Sequence, residues 1–164
     1  MTVGVAYRVP GQGAVLVSDG RVTQDGHINT DSARKYVKCG STVVLVAGEI
    51  GPVWRRLQEK PPRNMKAFLA MVDEAPDTCD WVAYDRRSDR LWLGGLRLSQ
   101  AYVTLGSGDA LALGALDAIP PARTLIAAEQ AALRAVQITC RRRGDCGGRI
   151  RIVTVPRTGD VRVR

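Results

Sequence analysis

The chain has 164 residues, of which 45% are hydrophobic, and it carries a formal net charge of +8. This is enough chain to bury one hydrophobic core, so we expect a single domain over residues 1–164. No apolar run approaches the roughly 18 residues of a membrane-spanning helix, and no charged-then-apolar leader precedes the first predicted strand. We therefore expect a cytoplasmic protein with no membrane partner.

The cysteines and the histidine give no sign of a metal site. Cys39, Cys79, Cys140 and Cys146 form no Cys-x-x-Cys pair, and His27 is the only histidine. Zinc sites usually need such closely spaced ligands. We therefore expect neither a metal nor another cofactor.

The positive charge is spread along the chain in short groups such as Arg55–Arg56, Arg86–Arg87 and Arg141–Arg143. The last group stands where a helix is predicted to end, and cations there complement the helix dipole. No RNP-like interleaving of aromatic and basic residues is present, and Phe68 is the single phenylalanine. Nucleic acid is therefore not an expected partner, and a basic nucleic-acid-binding module is the weakest alternative.

The first part of the chain is predicted to form short β-strands. Alternating and β-branched residues predict strands at Thr2–Val9, Ala14–Ser18, Arg21–Gln24, Arg34–Cys39 and Ser41–Ala47. Turn signals stand between them at Pro10–Gly13, Asp19-Gly20 and Asp25-Gly26.

The rest of the chain alternates between helical and strand patterns. Helices are predicted at Ile50–Glu59, Met65–Glu74, Ala110–Ala118 and Thr124–Arg142. Strands are predicted at Trp81–Asp85, Leu91–Leu93, Ala101–Leu105, Ile150–Val155 and Val161–Val163. Two helical pairs that cannot pack on each other would cover opposite sides of two stacked antiparallel sheets. The order of elements thus predicts an α+β fold, a four-layer αββα sandwich.

Thr2 becomes chemically interesting if Met1 is removed. A free amine and a hydroxyl would then share one residue, so the amine could take the proton of the hydroxyl during nucleophilic attack. An unperturbed α-amino group has a pKa of about 7.7 to 8.0, which leaves a usable fraction of free base at neutral pH.

Several short motifs follow Thr2 in a defined order. They are Ser18-Asp19-Gly20-Arg21-Val22-Thr23, Lys35 sixteen residues after Asp19, Val46-Ala47-Gly48, and Gly106-Ser107-Gly108 before an Ala/Leu-rich helix. Together they resemble proteasome β-type subunits over nearly the whole chain. The short chain is most similar to the HslV-type bacterial threonine protease and related bacterial proteasome homologues, which are N-terminal-nucleophile (Ntn) hydrolases.

The resemblance implies a role for each matching residue. Thr2 would be the nucleophile, and its amine would be the base. Lys35 would lower the pKa of the hydroxyl and stabilise developing negative charge, and Asp19 would orient Lys35. Gly48 would supply an oxyanion-hole N–H, and Ser107 would hydrogen-bond the terminal amine.

The resemblance also implies a substrate pocket around the nucleophile. The matching positions are Val22, Thr23, Ala33, Val46, Ile50 and Trp54. None of these residues is charged, so cleavage is expected to follow hydrophobic residues.

One stretch departs from the family pattern. Many proteasome subunits carry Asp-x-x-Ser-Gly near the end of the chain, whereas Arg143 stands here in the place of the aspartate and Cys146 in that of the serine. Asp145 is displaced by two positions. Either support of the amine is altered, or Asp145 substitutes through a different loop path.

The resemblance as a whole implies a threonine-type endopeptidase that degrades proteins or peptides inside stacked homo-oligomeric rings. The chain has no Gly-x4-Gly-Lys-[Ser/Thr] motif, so any ATP-dependent unfoldase serving the ring would be a separate chain. The alternatives are a non-catalytic ring subunit of the same fold and an Ntn amidohydrolase acting on a small amide.

Overall fold

A computed structural model describes residues 2–24, 27–48, 52–73 and 79–164. Within these ranges the chain forms twelve strands and four helices, and all the strand pairings in its sheets are antiparallel. The protein is therefore of the α+β class, as the sequence predicted. None of the described helices is long and apolar enough to cross a membrane.

One sheet is built on the N-terminal hairpin. It contains β1 (Gly4–Val9), β2 (Gly13–Ser18), β10 (Tyr102–Leu105), β11 (Arg151–Pro156) and β12 (Arg162–Val163), in the order β10-β1-β2-β11-β12. The register places Gly4 opposite both Ser18 and Leu105, and Ser18 opposite Arg151. The start of β1 therefore lies beside the ends of β2 and β10, at the same end of this sheet.

A second five-stranded sheet contains β5 (Tyr36–Cys39), β6 (Thr42–Gly48), β7 (Cys79–Asp85), β8 (Arg90–Leu93) and β9 (Leu96–Leu98), in chain order. Lys35 comes directly before β5, and Tyr36 pairs with Leu45 of β6. A separate two-stranded ribbon consists of β3 (Val22–Gln24) and β4 (His27–Thr30).

The helices are α1 (Pro52–Glu59), α2 (Met65–Asp73), α3 (Asp109–Asp117) and α4 (Leu125–Arg142). Thr124 caps α4 by accepting a hydrogen bond from the Ala127 N–H at 3.2 Å, and Arg141 and Arg142 lie in its last turn. Cations at that end are favourable because they face the negative pole of the helix dipole.

The strands distribute their side chains among separate apolar clusters. Val3, Val5 and Tyr7 pack with residues of α3 and α4, whereas the intervening Ala6 packs in a cluster with Leu45 of the second sheet. Another cluster joins the second sheet to α1 and α2; its members include Val44, Val46, Leu57, Phe68 and Trp81. This alternation follows from the twofold side-chain period of a strand buried on both faces.

The predicted helices are confirmed to within two residues at each described end, but two strands are not predicted by the sequence. β4 has exposed residues at His27, Ile28 and Asn29, so it has no buried apolar face that periodicity could detect. β9 follows Gly94 and Gly95, whose φ angles are +53° and +88°. These two glycines form the turn that lets the chain reverse and pair with β8. The predicted turn at Asp25-Gly26 lies outside the described residues.

Candidate active site

The buried carboxylate of Asp19 lies beside the beginning of β1. Because Ser18 pairs with Gly4, the flanking residues Asp19 and Val3 also lie side by side. The Val3 N–H donates to Asp19 Oδ1 at 3.0 Å, and the Asp19 N–H donates to the Val3 carbonyl at 3.2 Å. Asp19 has no exposed surface. It contacts Val3, the residue that follows Thr2 in the chain.

Lys35 reaches the same carboxylate from the second sheet. Its Nζ donates to Asp19 Oδ1 at 2.7 Å and to the Arg21 carbonyl at 2.7 Å. Only 1% of Lys35 is exposed. Burial lowers the pKa of Lys35 below its usual value, and the negative charge of Asp19 opposes this shift. The sequence prediction that Asp19 and Lys35 pair is thus matched by a direct contact.

Gly147 completes the environment of Asp19, and the sequence did not single it out. Its N–H donates to Asp19 Oδ2 at 3.0 Å, while its carbonyl accepts from the N–H groups of Gly20 and Arg21 at 3.0 and 2.9 Å. Gly147 and Gly148 have φ angles of +150° and +72°. The Gly-Gly pair is a turn signal, but nothing in its spacing indicates that it contacts Asp19.

Arg21 fixes this loop from outside. Its guanidinium binds both carboxylate oxygens of Asp31, at 2.7 and 3.1 Å, and donates to the Gly144 carbonyl at 2.8 Å. The guanidinium also lies within 3.0 to 3.3 Å of the position that a Cβ on Gly147 would occupy. Arg21 therefore links the segment after β2 to the loop after α4.

The loop Gly106–Gly108 holds Thr2 on its other side. The Gly108 N–H donates to the Thr2 carbonyl at 3.3 Å, and the Ser107 hydroxyl donates to the same oxygen at 3.5 Å. Gly106 has a φ of +87°, and a Cβ there would lie 2.3 Å from the Thr2 carbonyl oxygen. Only glycine permits this approach. Thr2 itself is 3% exposed.

Cys146 and Asp145 occupy the stretch that departs from the family pattern. Cys146 is buried; burial raises the pKa of its thiol to about 11, and a hydrogen bond with Ser107 acts in the opposite direction. Arg143 binds both carboxylate oxygens of Asp145, at 2.9 and 2.8 Å, and this lowers the pKa of Asp145. Both carboxylate oxygens of Asp145 are thus engaged by its neighbour Arg143.

Gly48 ends β6 with a φ of +108° and is exposed. It lies two residues beyond Val46, whose N–H donates to the Lys35 carbonyl at 2.9 Å. The strand that carries Gly48 is therefore bonded directly to the residue that binds Asp19.

The predicted pocket residues fall into two groups. Val46 is buried in the cluster against which Trp54 of α1 packs. Val22, Thr23 and Ala33 are partly buried near the segment after β2, and the Ala33 N–H donates to the Gly20 carbonyl at 2.9 Å. Ile50 lies outside the described residues.

Together these residues bring a buried ammonium–carboxylate pair into contact with the N–H of Val3, which follows Thr2 in the chain. The ammonium can stabilise negative charge that develops nearby, because the surroundings are dry and the pair is fixed by hydrogen bonds. No protein-family model matches the chain, and no curated protein matches it significantly.

Proposed function

We propose that this protein is an N-terminal threonine endopeptidase of the Ntn-hydrolase class, similar to proteasome β subunits and HslV-type proteases. The observation that carries the proposal is the junction at Asp19, which binds Lys35, the Val3 N–H and the Gly147 N–H within 2.7 to 3.0 Å. Lys35 is a candidate functional residue, because it is a buried ionisable group with a lowered pKa beside a specific charge partner. Here the pair adjoins the residue that becomes N-terminal when Met1 is removed.

The arrangement of apolar clusters supports the four-layer αββα sandwich expected for this class. Val5 packs toward α3 and α4, Leu16 and Leu45 share a cluster drawn from both sheets, and Val44 packs toward α1 and α2. Helices on the outer face of each sheet, with the two sheets packed together inside, account for all three clusters. The end of the sheet at which β1 begins would then lie at an opening between the two sheets.

The proposed reaction begins with attack of the Thr2 hydroxyl oxygen on a peptide carbonyl carbon. The α-amino group of Thr2 takes the hydroxyl proton and later gives it to the departing amine as the C–N bond breaks. Lys35 lowers the pKa of the hydroxyl through its positive charge. The product of this half-reaction is an ester between Thr2 and the acyl part of the substrate.

Water then hydrolyses the ester. The same amine accepts a proton from the attacking water and returns it to the Thr2 oxygen as the acid product leaves. The backbone N–H of Gly48 is the proposed oxyanion donor in both steps, since it lies on the strand bonded to Lys35.

Ring assembly accompanies the proposed activity. The proposal is a homo-oligomer of stacked rings that encloses the active sites and admits protein or peptide substrates. A separate ATP-dependent unfoldase is a candidate partner. Light scattering at micromolar concentration tests the assembly, and a monomeric mass would contradict it.

A covalent probe tests the activity itself. A peptide epoxyketone reacts with the hydroxyl and the free amine of an N-terminal threonine together, so adduct formation requires that Met1 be lost. Intact mass spectrometry should show loss of Met1 and one added probe per chain, with the adduct mapped to Thr2. Thr2→Ala should neither bind the probe covalently nor hydrolyse casein, while its oligomeric mass stays unchanged. Undiminished turnover by this variant would refute the proposal.

A non-catalytic ring subunit is the second candidate, and the pairing of Arg143 with Asp145 favours it. This bidentate contact, at 2.9 and 2.8 Å, engages the carboxylate that would otherwise be available to support the amine. A protein that loses Met1 and assembles into rings but never reacts with the epoxyketone would establish this second function.

A further inference from the structure

A cavity of about 260 Å³ opens beside the loop that holds Thr2. Its walls come from β7, the turn after β8, the end of β10 and the first residue of α3; they include Asp80, Trp81, Leu93, Leu105, Gly106 and Asp109. Gly106 is the residue whose backbone packs against the Thr2 carbonyl. The cavity is thus separated from Thr2 by the thickness of one backbone segment.

The cavity lies on the β10 side of Thr2, whereas the part of the predicted pocket around Ala33 lies on the β2 side. Val46, another predicted pocket residue, pairs with Trp81 in the cavity wall. In the strand order β10-β1-β2, Gly106 follows β10 and Asp19 follows β2. Ala33 is bonded to Gly20 on the Asp19 side. A peptide that places one side chain beside Ala33 therefore directs the residue across its scissile bond toward Gly106.

The size and lining of the cavity define the side chain that it can accept. Pockets for drug-sized ligands occupy about 300 to 1,000 Å³, so this smaller volume suits a single side chain. Trp81, Leu93 and Leu105 give apolar walls, and the exposed residues Asp80 and Asp109 add negative charge to the lining. An apolar stem with a cationic head matches this combination.

We propose that this cavity is a subsite for a lysine or arginine side chain on the leaving-group side of the scissile bond. This inference rests on the proposed peptidase function. Asp109 is the main specificity-determining residue, because it stands at the start of α3 next to Gly106 and lines the cavity. Its Oδ1 accepts a hydrogen bond from the Ala110 N–H at 2.6 Å, which fixes the carboxylate without neutralising its charge.

Binding to the Thr2→Ala protein tests the subsite independently of catalysis. Two fluorescein-labelled peptides would differ only in carrying lysine or glutamate directly after a leucine, and fluorescence anisotropy would give each Kd. We expect the lysine peptide to bind about two- to fivefold more tightly, the range for a partly exposed ion pair. The preference should fall as NaCl is raised, because these charges are screened.

Matched variants assign the preference to the cavity. Asp109→Asn should remove most of it, whereas Asp160→Asn, which removes the same charge between β11 and β12, should leave it unchanged. Equal Kd values for the two peptides, absence of binding by both, or an equal effect of both variants would overturn the subsite.

Hydrolysis of the same peptides by the wild-type protein separates the two proposals. A higher kcat/KM for the lysine peptide, lost in Asp109→Asn, would support both. If the wild-type protein cleaves neither peptide while the Thr2→Ala protein still prefers lysine, the peptidase function fails and the cationic subsite stands. If both peptides are cleaved equally well and bound equally well, the function stands and the subsite fails.

Discussion

Lys35 Nζ lies 2.7 Å from Asp19 Oδ1, and the two side chains are 2% and 0% exposed. The pair joins the two sheets, because Asp19 follows β2 and Lys35 precedes β5. Removing charges from water is unfavourable, so such a pair persists only when further hydrogen bonds satisfy both groups. Val3, Gly147 and the Arg21 carbonyl supply those bonds.

Lys35→Met should destabilise the protein and abolish hydrolysis. It leaves the Asp19 carboxylate buried without its cation, which costs about 3 to 5 kcal/mol. Chemical denaturation would measure the loss. Asp19→Asn combined with Lys35→Met removes both charges and should regain part of the stability but none of the activity. A double variant as active as wild type would show that the pair is only structural.

Lys35→Arg separates charge from shape. The guanidinium keeps the positive charge, but its planar head cannot replace a compact ammonium that donates to both Asp19 and the Arg21 carbonyl. We expect kcat to fall by orders of magnitude with assembly retained. Full activity in this variant would contradict the tight packing around the ammonium.

Gly106→Ala should displace Thr2. The added Cβ would lie 2.3 Å from the Thr2 carbonyl oxygen, and the φ of +87° is strained for alanine. We expect stability to fall by about 1 to 3 kcal/mol and the epoxyketone to react much more slowly.

Gly114→Ala in α3 is the matched control for Gly106→Ala. A Cβ at Gly114 meets nothing within 4 Å, and alanine is favoured over glycine in a helix by about 1 kcal/mol. It should leave the rate of the epoxyketone reaction unchanged and raise stability slightly. Equal losses in the two glycine variants would refute the close approach of Gly106 to Thr2.

The candidate site divides into contacts that sequence could predict and contacts that it could not. Asp19 and Lys35 are separated by sixteen residues in a motif order that resembles a known family, and their contact followed from that resemblance. Gly147 donates to Asp19 from 128 positions away. Such a bond depends on the path of the loop after α4, which no local pattern encodes.

The fold divides in the same way. β1 and β2 were predictable because β-branched residues are buried along both strands. β4 and β9 are exposed and are created by their partners and by turns, so hydrophobic periodicity carries no signal for them. The Arg21–Asp31 pair was likewise hidden, because arginine and aspartate are common on surfaces.

The thiols beside the site should be unreactive in the native protein. Burial raises the pKa of Cys146 to about 11 and that of Cys140 to about 12. The thiolate is the reactive form, so at pH 8 only about one Cys146 in a thousand would be ionised. Iodoacetamide followed by mass spectrometry should label neither cysteine until the protein is unfolded.

The raised pKa values of Cys146 and Cys140 also predict how the free energy of unfolding changes with pH. Because the folded-state pKa of each thiol is raised, the native state holds its proton more tightly than the unfolded state does. The contribution of the buried Cys146 thiol to the free energy of unfolding should be fully present below pH 9. It should be lost as the pH rises from 9 toward 11. Cys146→Ala should fall less steeply in this window than wild type, and an identical slope would contradict burial of the thiol.

Cleavage should follow hydrophobic residues, because the predicted pocket offers no charged partner. Val46 packs in the cluster that Trp54 also contacts. A leucine side chain gains roughly 1.5 to 3 kcal/mol on burial, whereas an aspartate there would lose several kcal/mol of solvation. Fluorogenic peptides that vary only at the residue before the scissile bond should therefore favour leucine or tyrosine over aspartate by orders of magnitude.

A charge placed in the pocket should change this preference. Ala33→Arg adds a cation at a predicted pocket position, and it should raise kcat/KM for the aspartate peptide relative to the leucine peptide. Ser32→Arg adds the same charge one residue away, where the side chain is exposed. It should leave the ratio near that of wild type, because exposed charges are screened by solvent and salt. Preferred cleavage after acidic residues by the wild-type protein would show that the pocket is assigned wrongly, even with Thr2 as the nucleophile.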